Sequence, residues 1–114
     1  MKTIIAGSRG ITNYYILIKA YMQCPFDITS VVSGCARGVD ALGEKFANDN
    51  SLPLEKYPAD WDTYGKRAGY IRNTEMADNA EALLAIWDGE SRGTKHMIDI
   101  AREKGLEVFV YMVV

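Results

Sequence analysis

The sequence predicts an α/β fold in which a five-stranded parallel sheet is covered by helices on both faces. Five short apolar runs alternate with longer stretches of helical periodicity. Those runs are apolar at successive positions, as strands buried on both faces must be. The first two apolar runs end directly in glycine, at Gly7 and Gly34, as strand-to-helix turns do.

Each element follows from its own residues. Residues 3–6 (Thr3, Ile4, Ile5, Ala6) form a first strand ended by Gly7. Ile11, Tyr15, Ile18 and Met22 recur at helical spacing, and Cys24-Pro25 stops that helix. Tyr14, Tyr15 and Tyr21 are expected to pack. Residues 28–33 form a second strand ended by Gly34, and Val39, Leu42 and Phe46 give the next helix an apolar face. Residues 54–57 form a short third strand closed by Pro58. A loop rich in aromatic and charged residues runs to about Gly69, and residues 71–79 form a third helix. Residues 82–87 give a fourth strand, 94–104 a fourth helix and 107–112 a fifth strand. Right-handed crossovers arrange such strands as 3-2-1-4-5, a Rossmann-like three-layer sandwich. Ligands of these sheets sit beyond the carboxyl ends of the strands where the order reverses, here between strands one and four.

The 114 residues are 48% hydrophobic and 25% charged, enough for one domain over residues 1–114 with a real core. The longest apolar run, residues 108–114, is far too short to span a membrane. The N-terminus leads straight into a strand and does not resemble a signal peptide. Two cysteines outside any CxxC pair and one histidine predict a reduced, cytoplasmic, metal-free chain with no cofactor. A net charge of −2 argues against nonspecific coating of nucleic-acid phosphates. Arg9, Arg37, Lys66, Arg67, Arg72, Arg92 and Lys95 nevertheless all lie in or beside glycine-containing segments. They are either solvated loop charge or a gathered anion site. As an apolar edge strand, residues 108–114 also predict self-association, because an open apolar edge invites pairing.

Four segments carry candidate chemistry. Gly7, Ser8 and Arg9 follow strand one, where glycine lets backbone N–H groups approach an anion. Ser33, Gly34, Arg37, Gly38 and Asp40 lie on the turn into the second helix, whose N-terminus attracts anions. This turn is neither a Walker A loop nor GxGxxG. Asp88, Ser91, Gly93 and Thr94 follow strand four; Ser91 or Thr94 can cap the fourth helix, and Gly93 permits close approach. Asp60, Trp61, Arg72 and Asn73 make up the fourth segment. Trp61 offers a face to stack on a base or a lid over the core, and Arg72 at the start of helix three a partner for phosphate. Trp87 reads as core or pocket wall, and His96 as a solvated surface residue.

Residues 33–40, 58–61, Arg72-Asn73 with Met76, and residues 91–94 together resemble the SLOG superfamily, which includes DprA (Smf) and the LOG enzymes. The match is nearest to the small branch related to YspA and YpsA and extends over about residues 3–112. The resemblance implies a Rossmann-like fold and a nucleotide-related ligand. In the LOG pattern Arg72 matches an arginine, Asn73 replaces a lysine and Met97 stands where a glutamate supports N-glycosidic cleavage. A thioether does no general acid/base work, which points away from that reaction. The Arg-Asn and Ser-x-Gly-Thr pattern is closer to DprA, which binds single-stranded DNA. Three functions follow in order of weight. The first is a module that binds a nucleotide-derived small molecule as sensor, sequestering protein or regulatory subunit. The second is a nucleotide or nucleoside hydrolase in which Asp40, Asp60 or Asp88 replaces the glutamate. The third is single-stranded nucleic-acid binding.

Overall fold

The computed structural model describes residues 1–113, so Val114, the last residue of the apolar run, lies outside the described residues. The strands are β1 (Lys2–Gly7), β2 (Ser30–Ser33), β3 (Leu54–Lys56), β4 (Ala82–Trp87) and β5 (Glu107–Met112). They form one sheet in the order β3-β2-β1-β4-β5, with every pairing parallel. The helices are α1 (Tyr14–Gln23), α2 (Val39–Asp49), the four-residue α3 (Trp61–Tyr64), α4 (Ala68–Asp78) and α5 (Arg92–Glu103), with a 3-10 turn at Gly65–Arg67. The α/β, Rossmann-like architecture expected from the sequence is the one observed.

Two cores lie on opposite faces of the sheet, and period two along the strands sorts residues between them. Ile5, Val31, Leu84 and Ile86 pack with Leu17, Val39 and Phe46 of α1 and α2. Ile4, Ala6, Val32, Leu83 and Ala85 pack with Met76 of α4 and Met97, Ile98 and Ala101 of α5. Both faces of β1 and β4 are therefore buried, which is why these runs are apolar throughout.

The stripe expected on the first helix is corrected. Asn13 caps α1 by accepting from the Tyr15 N–H at 3.0 Å, so the helix starts after Ile11. Ile11 is buried but held in the preceding turn, its N–H donating to the Ser8 carbonyl. Leu17 and Ala20 then face the core, while Tyr15 is 62% and Met22 78% exposed. Tyr15 carries Lys19 over its ring instead of packing, whereas Tyr21 lies 4.9 Å from Phe46. The expected third helix begins three residues early, at Ala68, which puts Arg72 in its second turn rather than at its start. The preceding loop holds α3 and the 3-10 turn, where no residue from Trp61 to Arg67 is buried.

The sheet has two unlike edges. Lys2–Glu55 and Lys56–Glu44 ion pairs guard β3, and charge at an edge discourages pairing with another chain. Along β5 only the terminal Glu107 is charged; Val108, Phe109, Val110 and Tyr111 are half-buried and Met112 is exposed. Among the described residues, no helix is long and apolar enough to cross a membrane.

Candidate functional site

The turns after β1, β2 and β4 converge at the carboxyl edge of the sheet, and Ser8 holds them together. Its N–H donates to the Ile86 carbonyl at 3.1 Å, and its hydroxyl accepts from the Asp88 N–H at 3.1 Å. Its carbonyl accepts from the Ile11 and Val39 N–H groups. Gly7 leaves no room for a side chain, because a Cβ there would overlap the Ile86 carbonyl oxygen. Ser8 is itself buried, so it builds the site without facing it.

The second turn is fixed by its own polar groups. Ser33 donates to Glu44 Oε2 at 2.8 Å and accepts from the Cys35 N–H at 3.1 Å, which turns its hydroxyl inward. Asp40 Oδ2 accepts from the Ala36 N–H at 3.2 Å. Arg72 Nη1 reaches across from α4 to donate to the Gly34 carbonyl. A Cβ on Gly34 would lie 2.8 Å from Arg72 Nη1 and 2.9 Å from Asp40 Oδ2, so glycine makes this approach possible. Burial raises the Asp40 carboxyl above its ordinary value, against the pull of the Ala36 N–H and of Arg72. Burial likewise lowers Arg72, with Asp40 opposing.

In the third turn Asp88 Oδ1 accepts from the Glu90 and Ser91 N–H groups at 2.8 and 3.0 Å, which holds its carboxyl below the usual range. Trp87 donates its indole N–H to the Ser91 carbonyl at 3.0 Å. Ser91 caps α5, its hydroxyl accepting from the Thr94 N–H at 3.4 Å and lying 3.0 Å from the Thr94 hydroxyl. The Arg92 and Gly93 N–H groups find no acceptor among the described residues and leave the α5 N-terminus open.

Two adjoining cavities result. The first, about 230 Å³, is lined by Gly7, Asp40, Asn73, Ser91, Gly93 and Thr94, with Met76 and Met97 as apolar floor and Lys66 and Tyr70 at its side. The second, about 270 Å³, is lined by Gly34, Cys35, Arg37, Pro58 and Ala59. Arg9, Ala36, Trp61 and Arg72 line both. Trp61 is 51% exposed, so it walls the cavities and is no lid over the core.

Of the residues expected to bind, five turn elsewhere. Ser8 and Ser33 are buried in turn-forming bonds, and Gly38 packs against the Ser8 and Arg9 carbonyls. Asp60 caps α3 by accepting from the Thr63 N–H, and Asp88 folds back on its own loop. Tyr70 at the cavity wall was not among the expected residues, and Lys66 was expected only as one of the seven cations near glycine. The aromatic and basic composition around them was the available signal.

His96 also differs from expectation. It is half-buried, stacked on Tyr70 with ring centroids 4.4 Å apart, and its Nδ1 lies 3.2 Å from Asn73 Nδ2. The Asn73 amide has one orientation, since Arg72 Nε only donates to its Oδ1 at 3.0 Å and the Gly93 carbonyl only accepts from its Nδ2 at 3.3 Å. His96 Nδ1 must therefore accept, which requires a neutral ring. Burial lowers the His96 pKa below the ordinary 6.5, with Asp99 opposing and Lys95 held on Asp99 at 2.8 Å. A lowered histidine contributes stability that is present above 6.5 and lost as pH falls through its folded value. Acidification from about pH 7.5 to about pH 5.5 is thus expected to destabilise wild type more than His96→Gln, which keeps an acceptor and does not titrate. Equal losses in urea denaturation would contradict the bond assignment.

Residues 1–64 match the family model described as the YspA, cpYpsA-related SLOG family. The chain is also similar to the Gene 61 protein of Mycobacterium phage D29, 34% identical over an alignment that covers 94% of this chain and 93% of that protein. No solved structure matches it.

Proposed function

The chain belongs to the YspA- and cpYpsA-related SLOG family, and from that premise we propose that its cavities bind a nucleotide or nucleotide-derived small molecule. In this reading it serves as a sensor, sequestering or regulatory module. One observation carries the reading. All five ion pairs among the described residues use lysines elsewhere, and none involves Arg9, Arg37, Lys66 or Arg72 around the cavities. On a chain of net charge −2, four such cations beside a single lining carboxylate favour an anion. A phosphate fits the open α5 N-terminus, with Arg72 beside it and the Trp61 face available to a base.

The chemistry at hand favours binding over hydrolysis. Met97 is buried in the floor, Asp60 and Asp88 serve their own turns, and Asp40 is engaged by the Ala36 N–H. The test is a thermal-shift screen across mononucleotides, dinucleotides and cyclic nucleotides, followed by product analysis and a salt titration. A ligand at 100 times its Kd stabilises by about 2.7 kcal/mol. Failure of every nucleotide to shift the melt overturns the proposal. Appearance of free base identifies a hydrolase, and affinity for single-stranded DNA that collapses with salt identifies a nucleic-acid binder.

The bare β5 edge, set against the charged β3 edge, supports self-association through β5. Sedimentation at tens of micromolar is expected to show a species heavier than 12.7 kDa. A purely monomeric profile removes this part of the proposal.

A further inference from the structure

The two cavities adjoin as two lobes along a common wall. They share Arg9, Ala36, Trp61 and Arg72, so nothing bound in one is isolated from the other. Small-molecule sites usually occupy roughly 300–1,000 Å³. At about 230 and about 270 Å³, each lobe falls short of that range, and the two together fall within it.

The lobes are built alike. The first sets Met76, Met97 and Tyr70 against Lys66, and the second sets Pro58 and Ala59 against Arg37. Each thus combines an apolar wall with a cation, which offers a nucleobase both a face and an edge, while the first lobe also keeps the open α5 N-terminus for a phosphate. Where they meet stand Arg9 and Arg72, neither paired with a carboxylate among the described residues, with Trp61 on the shared wall. That junction suits an anionic connector. Among the described residues, the lining of the second lobe includes no carboxylate.

Resting on the nucleotide reading above, we propose that the ligand class is a dinucleotide joined by a phosphate-type linker. One nucleoside occupies each lobe, and the linker runs from the α5 N-terminus past Arg72 and Arg9. A mononucleotide fills only half of this site. Joining two halves makes the second contact intramolecular, which tightens binding without requiring a new kind of contact.

Calorimetry on the full chain tests this with AMP, GMP, UMP and CMP, each against its 5′,5′-pyrophosphate-linked dimer. For at least one base the dimer is expected to bind at least about tenfold more tightly than the monophosphate, at one per chain. Arg37→Ala, an exposed substitution in the second lobe only, is expected to erase most of that advantage. Equal affinities for monomer and dimer overturn the two-lobed ligand while leaving nucleotide binding standing. Two monophosphates bound per chain with no gain from linkage do the same, as does a dimer advantage that survives Arg37→Ala. Binding of none of the eight overturns this inference, and the nucleotide reading beneath it falls as well if the cyclic nucleotides of the wider screen also fail.

Discussion

Arg72→Ala is expected to weaken nucleotide binding by about 10- to 150-fold, the equivalent of the roughly 1.5–3 kcal/mol that a hydrogen bond to a charged group contributes. Its Nε and Nη1 are committed to Asn73 and to the Gly34 carbonyl, which aims the guanidinium while Nη2 has no acceptor among the described residues. Both lobes are lined by this side chain, so its loss is felt whichever one the ligand occupies. Because Arg72→Ala also strips a partner from Gly34, a second variant separates binding from folding. A Cβ at Gly93 would meet nothing within 4 Å, yet the residue lines the first cavity. Gly93→Val should therefore leave the fold intact and fill the approach to the α5 N-terminus, weakening binding at least as much. Arg102→Ala, exposed in the last turn of α5, is the control. Calorimetry with whichever nucleotide the screen returns decides the matter. If Arg72→Ala and Gly93→Val both bind like the control, the phosphate does not sit here.

A large stability loss is expected at Gly38. Its φ of +73° is a conformation other residues adopt only under strain, and a Cβ there would lie 2.5 Å from the Ser8 and Arg9 carbonyl oxygens. Backbone strain of roughly 1–3 kcal/mol and an overpacking cost of similar size put Gly38→Ala on the order of 3 kcal/mol or more below wild type. The melting temperature should fall by about 10 °C or more. Gly10→Ala provides the comparison, since its Cβ meets nothing within 4 Å and its φ is not positive. Thermal melts in which the two variants agree would show that the first and second turns are not locked together through Gly38.

Much of the fold was legible because its signals are local. The successive apolar residues of β1 and β4 report strands with two buried faces, and that pattern needs no knowledge of partners. Ser91 ahead of Thr94 marks the start of α5 within four residues. Helix phase was less legible. Tyr15 and Met22 have the hydrophobicity and spacing of a buried face, yet Leu17 and Ala20 take it, with Ile16 and Ile18 packed against the same core. Which face a helix turns to the sheet is decided by the packing of the neighbouring elements and not by its own spacing.

By itself the sequence determined the five strands, the four long helices, the strand order and the three glycine-bearing turns at one sheet edge. It also marked Gly7, Gly34, Arg72 and Gly93 as worth attention. Only the tertiary structure decided what each does there. Ser8 and Asp88 are 80 positions apart and Arg72 and Gly34 are 38 apart, so their bonds exist only once the sheet has set β4 and β2 on either side of β1. Similar residue types were then divided by geometry alone: Asp88 accepts from its own loop while Asp40 is buried at the cavity, and Ser33 points inward while Ser91 caps α5. Local chemistry limits which contacts a side chain can make. The packing of distant segments selects among them, because a buried donor or acceptor must find its partner wherever the fold has placed one.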